Sequence, residues 1–395
     1  MNTAFIYDAV RTPRGKGREG GALNDVTPVA LQEQLIAAVL ERNDCAPGAI
    51  DDIILGCVTQ VGEQGGNIAK VAALCSGLPD SVSGITINRY CTSGLDACNF
   101  AAMKVMTGVD DIVLAGGVES MSRVAMLSDK ASFYTDPAVI MKAGFVPMGL
   151  AADLVASLDG ISRQECDGYA VRSQQRAAAA QQSGAFSRSL VPIGSADQDE
   201  SVRGSVTVEK LATFDPLFTE FGRQGYEAAF KGAFAKLEKL VYVHHAGNSP
   251  GIVDGASLVV IGSEKSGTDY GLKPRARIKT MTNISGDRFL ALTGGIDAAN
   301  DVLKKAGMAA SDVDLVEFNE AFASVSIKFT RDTKWNEDQV NVNGGAIALG
   351  HAMGATGASL VGTVLDELER RDLNVGLIAV SGAAGIGTAT IIERV

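Results

Sequence analysis

Residues 27–58 read TPVALQEQLIAAVLERNDCAPGAIDDIILGCV, and residues 295–322 read GIDAANDVLKKAGMAASDVDLVEFNEAF. The two stretches share one plan. In the first, Thr27 and Pro28 open a helix, a Pro-Gly turn follows, and Asp52 to Val58 is the apolar run of a buried strand. In the second, a helix runs to about Lys305, Gly307 stops it, and Asp314 to Phe318 is the strand. What comes next is also alike. Residues 88–115 run loop, helix, Gly108 and the strand DIVLAG, while residues 343–380 run glycine-rich loop, helix and the strand VGLIAV. This alternation predicts an α/β chain of two duplicated halves, each built from parallel β-α-β units with buried strands.

Between the halves the texture changes. Residues 122–245 hold a helix opened by the capping box Ser162/Glu165, then a polar run poor in strands, then the helical piece GYEAAFKGAFAKLEKL. We read this segment as an inserted loop or lid domain. Residues 1–121 and 246–268 then form the first half and residues 269–395 the second.

The composition narrows the function classes. With 395 residues, 46% of them apolar, the chain can bury a large core, and 6% aromatics mean that aliphatic side chains build it. A net charge of -11 argues against nucleic acid or an anionic membrane as partner. No uninterrupted apolar run spans a bilayer and the N-terminus lacks a signal-peptide pattern. Six scattered cysteines without a C-x-x-C pair, and three histidines, predict reduced thiols, a cytoplasmic location and no metal site.

Cys91 lies in NRYCTSGLDACNF, at the mouth of a helix whose buried face is Leu95, Cys98, Ala101, Ala102, Val105 and Met106. Unpaired N–H groups and the helix dipole favour an anion there, so the sequence predicts a lowered thiol pKa and a nucleophile. Cys98, seven residues on, reads as core. His351, in NVNGGAIALGHAMGATGA, holds by the repeat the position in half two that Cys91 holds in half one. Halves facing across a pseudo-two-fold axis would bring thiol and imidazole together as nucleophile and activator. Asn319 and Glu320 follow a strand, at the edge where α/β sheets gather ligands.

In combination these motifs resemble the thiolase family. NRYCTSGLDA is similar to the family's nucleophile motif, GGVESMS to the turn after the next strand, NEAFA to its asparagine motif and NVNGGAIALGH to its histidine motif. SRQECDGYAVRSQQRAAAAQ resembles the loop domain, and residues 221–245 resemble the bacterial fatty-acid-oxidation subgroup. The resemblance implies a five-layered αβαβα fold of two like halves plus a loop domain, assembled as a homodimer or homotetramer. A hydratase/dehydrogenase subunit is a further candidate partner. The implied substrates are CoA and acyl-CoA, with no permanently bound cofactor, and the implied reaction is thiolysis of a 3-ketoacyl-CoA or its reversal. Cys91 would carry the acyl group. His351, with a water held by Asn319, would stabilise the enolate, and the N–H groups of Cys91 and Ala383 would bind the second oxyanion. Ser249, Met148 and Phe322 are the implied pantetheine and acyl contacts. Arg223, Lys231, Lys236 and Lys239 could reach CoA phosphates but read better as a solvated face.

The pattern departs at one point that bears on chemistry. The family's C-x-G-G-G-x-G run reads SGAAGIG here, which puts Ser381 on its acid/base cysteine, and a hydroxyl is a far weaker acid than a thiol. Ala352 stands where the family has proline, Ala383 where it has glycine, and Pro250 where it has serine. Three accounts of Ser381 stand open: a substitution that traps the acyl-enzyme, a natural divergent thiolase, which we favour, or a thiolase-like acyl-CoA binder or hydrolase. A ketosynthase-like enzyme would need a second histidine in the C-terminal half, and a scaffold subunit would need no reactive thiol.

Overall fold

The computed structural model describes residues 2–333 and 335–395. Its strands are β1 (Phe5–Arg11), β2 (Gly15–Lys16), β3 (Asp52–Gly56), β4 (Ser83–Ile87), β5 (Ile112–Ser120), β6 (Val253–Gly262), β7 (Ala276–Ser285), β8 (Leu315–Phe318), β9 (Val375–Ser381) and β10 (Ile386–Arg394). They follow the path β4-β3-β5-β6-β1-β7-β10-β9-β8, with β2 paired to β6. Each half contributes the same order: β1-β6-β5-β3-β4 in the first, β7-β10-β9-β8 in the second. The place of β4 in the second half is taken by an isolated parallel bridge between Val316 and Val340. The equivalent strands β1 and β7 pair antiparallel at Phe5–Arg277 and Ile6–Ala276, which puts the pseudo-two-fold axis between them.

The duplication reaches single hydrogen bonds. Asp51 donates its N–H to Ile112 O at 2.9 Å, and its Oδ2 accepts from the N–H groups of Asp111 and Ile112 at 2.7 and 2.9 Å. Asp314 donates to Val375 O at 2.9 Å, and its Oδ2 accepts from Asn374 and Val375 at 2.9 and 2.8 Å.

The expectation of parallel β-α-β units holds for β3 with β4 and β5 and for β8 with β9, but the sheet is mixed. β6 runs antiparallel to β5 and β1, and β10 antiparallel to β9 and β7. For β10 the reason is connection length. The short loop 382–385 joins β9 to β10 with no crossover helix, and such a loop can serve antiparallel neighbours alone.

Both faces of the central strands are buried, and alternate residues enter different cores. Ile53, Leu55, Leu114 and Leu258 pack under the helix Pro28–Arg42, whereas Ile54, Val113, Ala115 and Val259 face the helices Ser93–Thr107 and Met353–Arg371. In the second half Leu377 and Ala379 face the helix Gly294–Ala306, while Ile378 and Val380 face the same central helix pair. The layers are therefore helix, sheet, helix pair, sheet, helix.

Thr27 Oγ1 caps the first helix, with Pro28 at its first turn, and Gly307 ends the helix Gly294–Ala306 at φ 65°. Ser162 and Glu165 form the expected capping box on the helix Arg163–Ser183. The helical piece expected through Leu240 is shorter than the sequence suggests. It stops at Ala233, and Phe234 turns extended so that Leu237 and Leu240 reach the outer core of the second half. Residues 122–245 also pack into both halves. Ile193 and Ala196 join the outer core of the first, and Leu150, Leu154 and Phe230 that of the second. The apolar stretch Pro137–Leu158 has the length and composition of a bilayer span. Gly144, at φ 74°, breaks it into helices Pro137–Ala143 and Met148–Leu158.

Candidate active site

The two central helices cross at glycines close to their N-termini. A methyl group on Gly94 would lie 2.7 Å from Gly354 O, and one on Gly357 would lie 2.3 Å from Leu95 N. The helices therefore touch backbone to backbone, a contact that any side chain would prevent. Cys91 and His351 each stand three residues before the crossing glycine of their own helix, Gly94 and Gly354. The N-terminal turns of the two helices therefore lie against each other.

The turn before Cys91 is tightly held. Asn88 Oδ1 accepts from Tyr90 N–H at 2.8 Å, Ser93 Oγ accepts from Arg89 N–H at 2.8 Å, and Thr92 Oγ1 donates to Arg89 O at 2.8 Å. Tyr90 sits at φ 51°, a left-handed conformation that costs a non-glycine residue of order 1 kcal/mol and that gathers at functional turns. The loop carrying Ser381 lies against this turn. A methyl on Gly382 would stand 3.4 Å from Arg89 O and from Thr92 Cγ2.

The electrostatics correct one expectation. The Cys91 thiol is pushed up to about 12, first by burial and then by the negative charge of Glu119. Burial outweighs the helix N-terminus, so the resting sulfur is a protonated thiol rather than the predicted thiolate. His351 is shifted down to about 4, by burial and then by the charge of Arg14, so its imidazole is neutral. Its Nδ1 lies 2.8 Å from Thr356 Oγ1, and that hydroxyl donates to Ala352 O at 2.9 Å. The hydroxyl proton being engaged, His351 Nδ1 carries the hydrogen and Nε2 is the free base.

Three predicted residues present buried polar atoms without protein partners: His351 Nε2, Ser249 Oγ, and both Nδ2 and Oδ1 of Asn319. Such atoms are rare in folded proteins and need a ligand or solvent partner. Backbone bonds tie their loops together. His351 donates its N–H to Gly251 O at 2.9 Å, and Ala323 donates to Asn248 O at 3.2 Å.

The remaining predicted residues lie as follows. Ser381 is fully buried, and its Oγ accepts from Gly295 N–H at 3.0 Å, on the strand face that Leu377 and Ala379 share. Ala383 has no positive φ, but Ala384 sits at φ 59°. Phe322 packs edge-on against Phe218 and His244, and Met148 is half-buried beside the same outer core. Cys98 is buried in the central core, and all six cysteines are unpaired.

Sequence reasoning passed over Glu119, Thr356 and Arg14. Buried Glu119 accepts from Val58, Thr59 and Gly354 N–H at 3.0, 3.1 and 3.0 Å and from Gln64 Nε2 at 2.8 Å. It joins the first half to the N-terminus of the His351 helix, and burial first raises its own pKa. Its one sequence signal was the glycine turn AGGVESMS.

Comparison with known proteins agrees with the fold. The thiolase N-terminal domain model matches residues 4–224, and the thiolase C-terminal domain model matches residues 272–394. The chain is 39% identical to a 3-ketoacyl-CoA thiolase of Citrobacter koseri and 38% identical to one of Salmonella typhimurium, each over the full length of both chains. The crystal structure of the Bacillus anthracis acetyl-CoA acetyltransferase superposes with a TM-score of 0.86 at 33% identity, covering 100% of this chain and 99% of that one. With two domain models in order and full-length relatives, the chain belongs to the thiolase family.

Proposed function

We propose that this protein is a thiolase-type acyltransferase of fatty-acid oxidation. It cleaves a 3-ketoacyl-CoA with CoA into acetyl-CoA and a shortened acyl-CoA, and runs the reverse condensation. The observation that carries the reading is the unpartnered Nε2 of His351, whose ring is set by Thr356 at the mouth of a helix that crosses the Cys91 helix. In the forward direction His351 Nε2 takes the Cys91 proton as sulfur bonds to C3 of the substrate. The C2–C3 bond breaks, and its electron pair becomes the enolate of acetyl-CoA. The new Nε2–H is now a donor, and with a water held by the Asn319 side chain it stabilises the enolate oxygen. A positioned donor of this kind is worth about 10²–10³ in rate. C2 then takes the proton held by His351. Finally CoA gives its thiol proton to His351 and attacks the thioester carbonyl, and Cys91 leaves and recovers that proton.

In this reading the N–H groups of Cys91 and Ala383 hold the thioester oxygen. Ser249, Met148 and Phe322 line the pantetheine and acyl path. Residues 1–121 with 246–268, and 269–395, act as the catalytic halves, residues 122–245 act as the loop domain, and the enzyme works in the cytoplasm. A homo-oligomer is supported by the apolar side chains left open at the β4 edge: Ile85, Leu74 and Met103 are 48%, 49% and 39% exposed. One observation favours a second reading, an acyl-CoA hydrolase or binder. Ser381 Oγ is buried and already bonded to Gly295 N–H, so the hydroxyl is poorly placed to replace a cysteine acid. Steady-state thiolysis of acetoacetyl-CoA separates the two. The transferase reading expects turnover that needs CoA and disappears in Cys91→Ala and His351→Ala; release of free acid without CoA transfer would replace it by the hydrolase.

A further inference from the structure

We propose that Arg14 is a positioning residue that keeps the His351 imidazole neutral from behind. This rests on the acyl-transfer reading, in which His351 acts as the base. Arg14 follows β1 and is buried, 5% exposed. Its Nη2 donates to Ser359 Oγ at 2.9 Å, Ser359 Oγ donates to Thr356 O at 2.8 Å, and Thr356 Oγ1 meets His351 Nδ1. The guanidinium and the imidazole thus flank the first turns of the same helix. A cavity of about 10 Å³ beside the guanidinium is lined by Arg14, Gly255, Ala352, Thr356 and Ser359 among others. A methyl on Gly255 would stand 3.4 Å from Ala352 Cβ and 3.6 Å from Arg14 Cγ, so small side chains at 255 and 352 leave room for the guanidinium. This gives Ala352, where the family resemblance implies proline, a physical role.

The Arg14 charge is poorly cancelled. The nearby carboxylate, Asp199, is held bidentately by Arg11 at 2.8 Å on both oxygens and lies 3.7 Å from Arg14 Nη1. Two guanidiniums share one carboxylate, and Arg14 Nη1 has no hydrogen-bond partner. A cation in a dry site opposes a second positive charge nearby, so it disfavours the imidazolium. Titratable groups on the elements packed around the His351 loop include Glu119 at Gly354 N–H, Glu320 at Ile347 N–H and the Cys91 thiol, while Glu317 on β8 acts on Arg14 itself. Burial is the larger cause of the downward shift of His351 and the Arg14 charge adds to it, while burial also raises the pKa values of Glu119, Glu317 and Glu320 and so weakens their pull on the imidazolium.

The test is a histidine NMR titration of the full-length protein. The chain has three histidines, and His351→Asn identifies the His351 signal by its loss. In Arg14→Met the His351 midpoint should rise by about one pH unit, and Arg14→Lys should hold it near the parent value. If Arg14→Met does not fold, Arg14→Gln, which keeps a donor towards Ser359, carries the same expectation. An unchanged midpoint in the neutral variants overturns the proposal. Because this readout needs no turnover, a parent without thiolysis would defeat the acyl-transfer reading while leaving the Arg14 proposal to its own result.

Discussion

His351 Nδ1 meets Thr356 Oγ1 at 2.8 Å, and the Thr356 proton is spent on Ala352 O. One hydroxyl therefore fixes both the ring orientation and the tautomer of the candidate base. Thr356→Val keeps the side-chain volume and removes this acceptor. It should lower kcat by about tenfold to a hundredfold, within the range of a general base, while stability falls by about 1 kcal/mol. Thiolysis kinetics and a denaturant melt measured together check this; equal kcat in the two proteins would show that Thr356 does not set the tautomer.

The same burial makes stability depend on pH. His351 titrates at about 4 in the folded chain against an ordinary 6.5. A folded pKa below the unfolded one means the unfolded chain binds the proton more readily. The neutral ring's contribution is then complete above about 6.5 and is lost as pH falls towards 4, to a total of about 3 kcal/mol. Denaturant melts of the parent and His351→Gln between those pH values should diverge by that order, with the parent losing more. Parallel curves would count against a buried neutral imidazole.

Ser381→Cys replaces a hydroxyl held by Gly295 N–H with a thiol, a weaker acceptor and an acid of usable pKa, and should raise thiolysis of acetoacetyl-CoA by at least about tenfold. A variant no faster than an active parent would mean that position 381 takes no part in proton transfer.

Much of this was legible in the sequence. The duplicated halves could be read because the turn and capping residues Thr27, Gly108, Gly307 and the Ser162/Glu165 box act locally, and because strand and helix periods are local too. The placement of Cys91 and His351 before two helices could be read because the repeat puts them at equivalent helix mouths. The resting charge of Cys91 was misread because burial comes from residues distant in the chain. Thr356, Glu119 and Arg14 were silent for the same reason. Glu119 and Gly354 are far apart in sequence, and Arg14 meets Ser359 only after the N-terminal strand folds against the central helix. The antiparallel placement of β6 and β10 depends on which strands share an edge, which strand composition does not record.

Ala384 sits at φ 59° in the loop beside Cys91. Glycine would relieve that conformation at some cost in unfolded-chain entropy, so Ala384→Gly should stabilise the fold by about 0.5–1 kcal/mol. A thermal melt that falls instead would show that the loop draws its stability from the alanine methyl.

Ile85, on the outer strand β4, is 48% exposed among other apolar side chains. If copies of the chain pair there, Ile85→Lys should shift the protein to the monomer mass by light scattering. An unchanged oligomer would place the interface on another face.

The most direct test of the account is to locate the acyl group. The protein is incubated with acetyl-CoA, quenched with acid, digested and weighed peptide by peptide. Cys91 should carry one acetyl group, the buried Cys98 and Cys57 none, and the label should disappear on adding CoA and fail to form in His351→Ala. An unlabelled Cys91, or a label that forms equally well without His351, would contradict the pairing of these two residues.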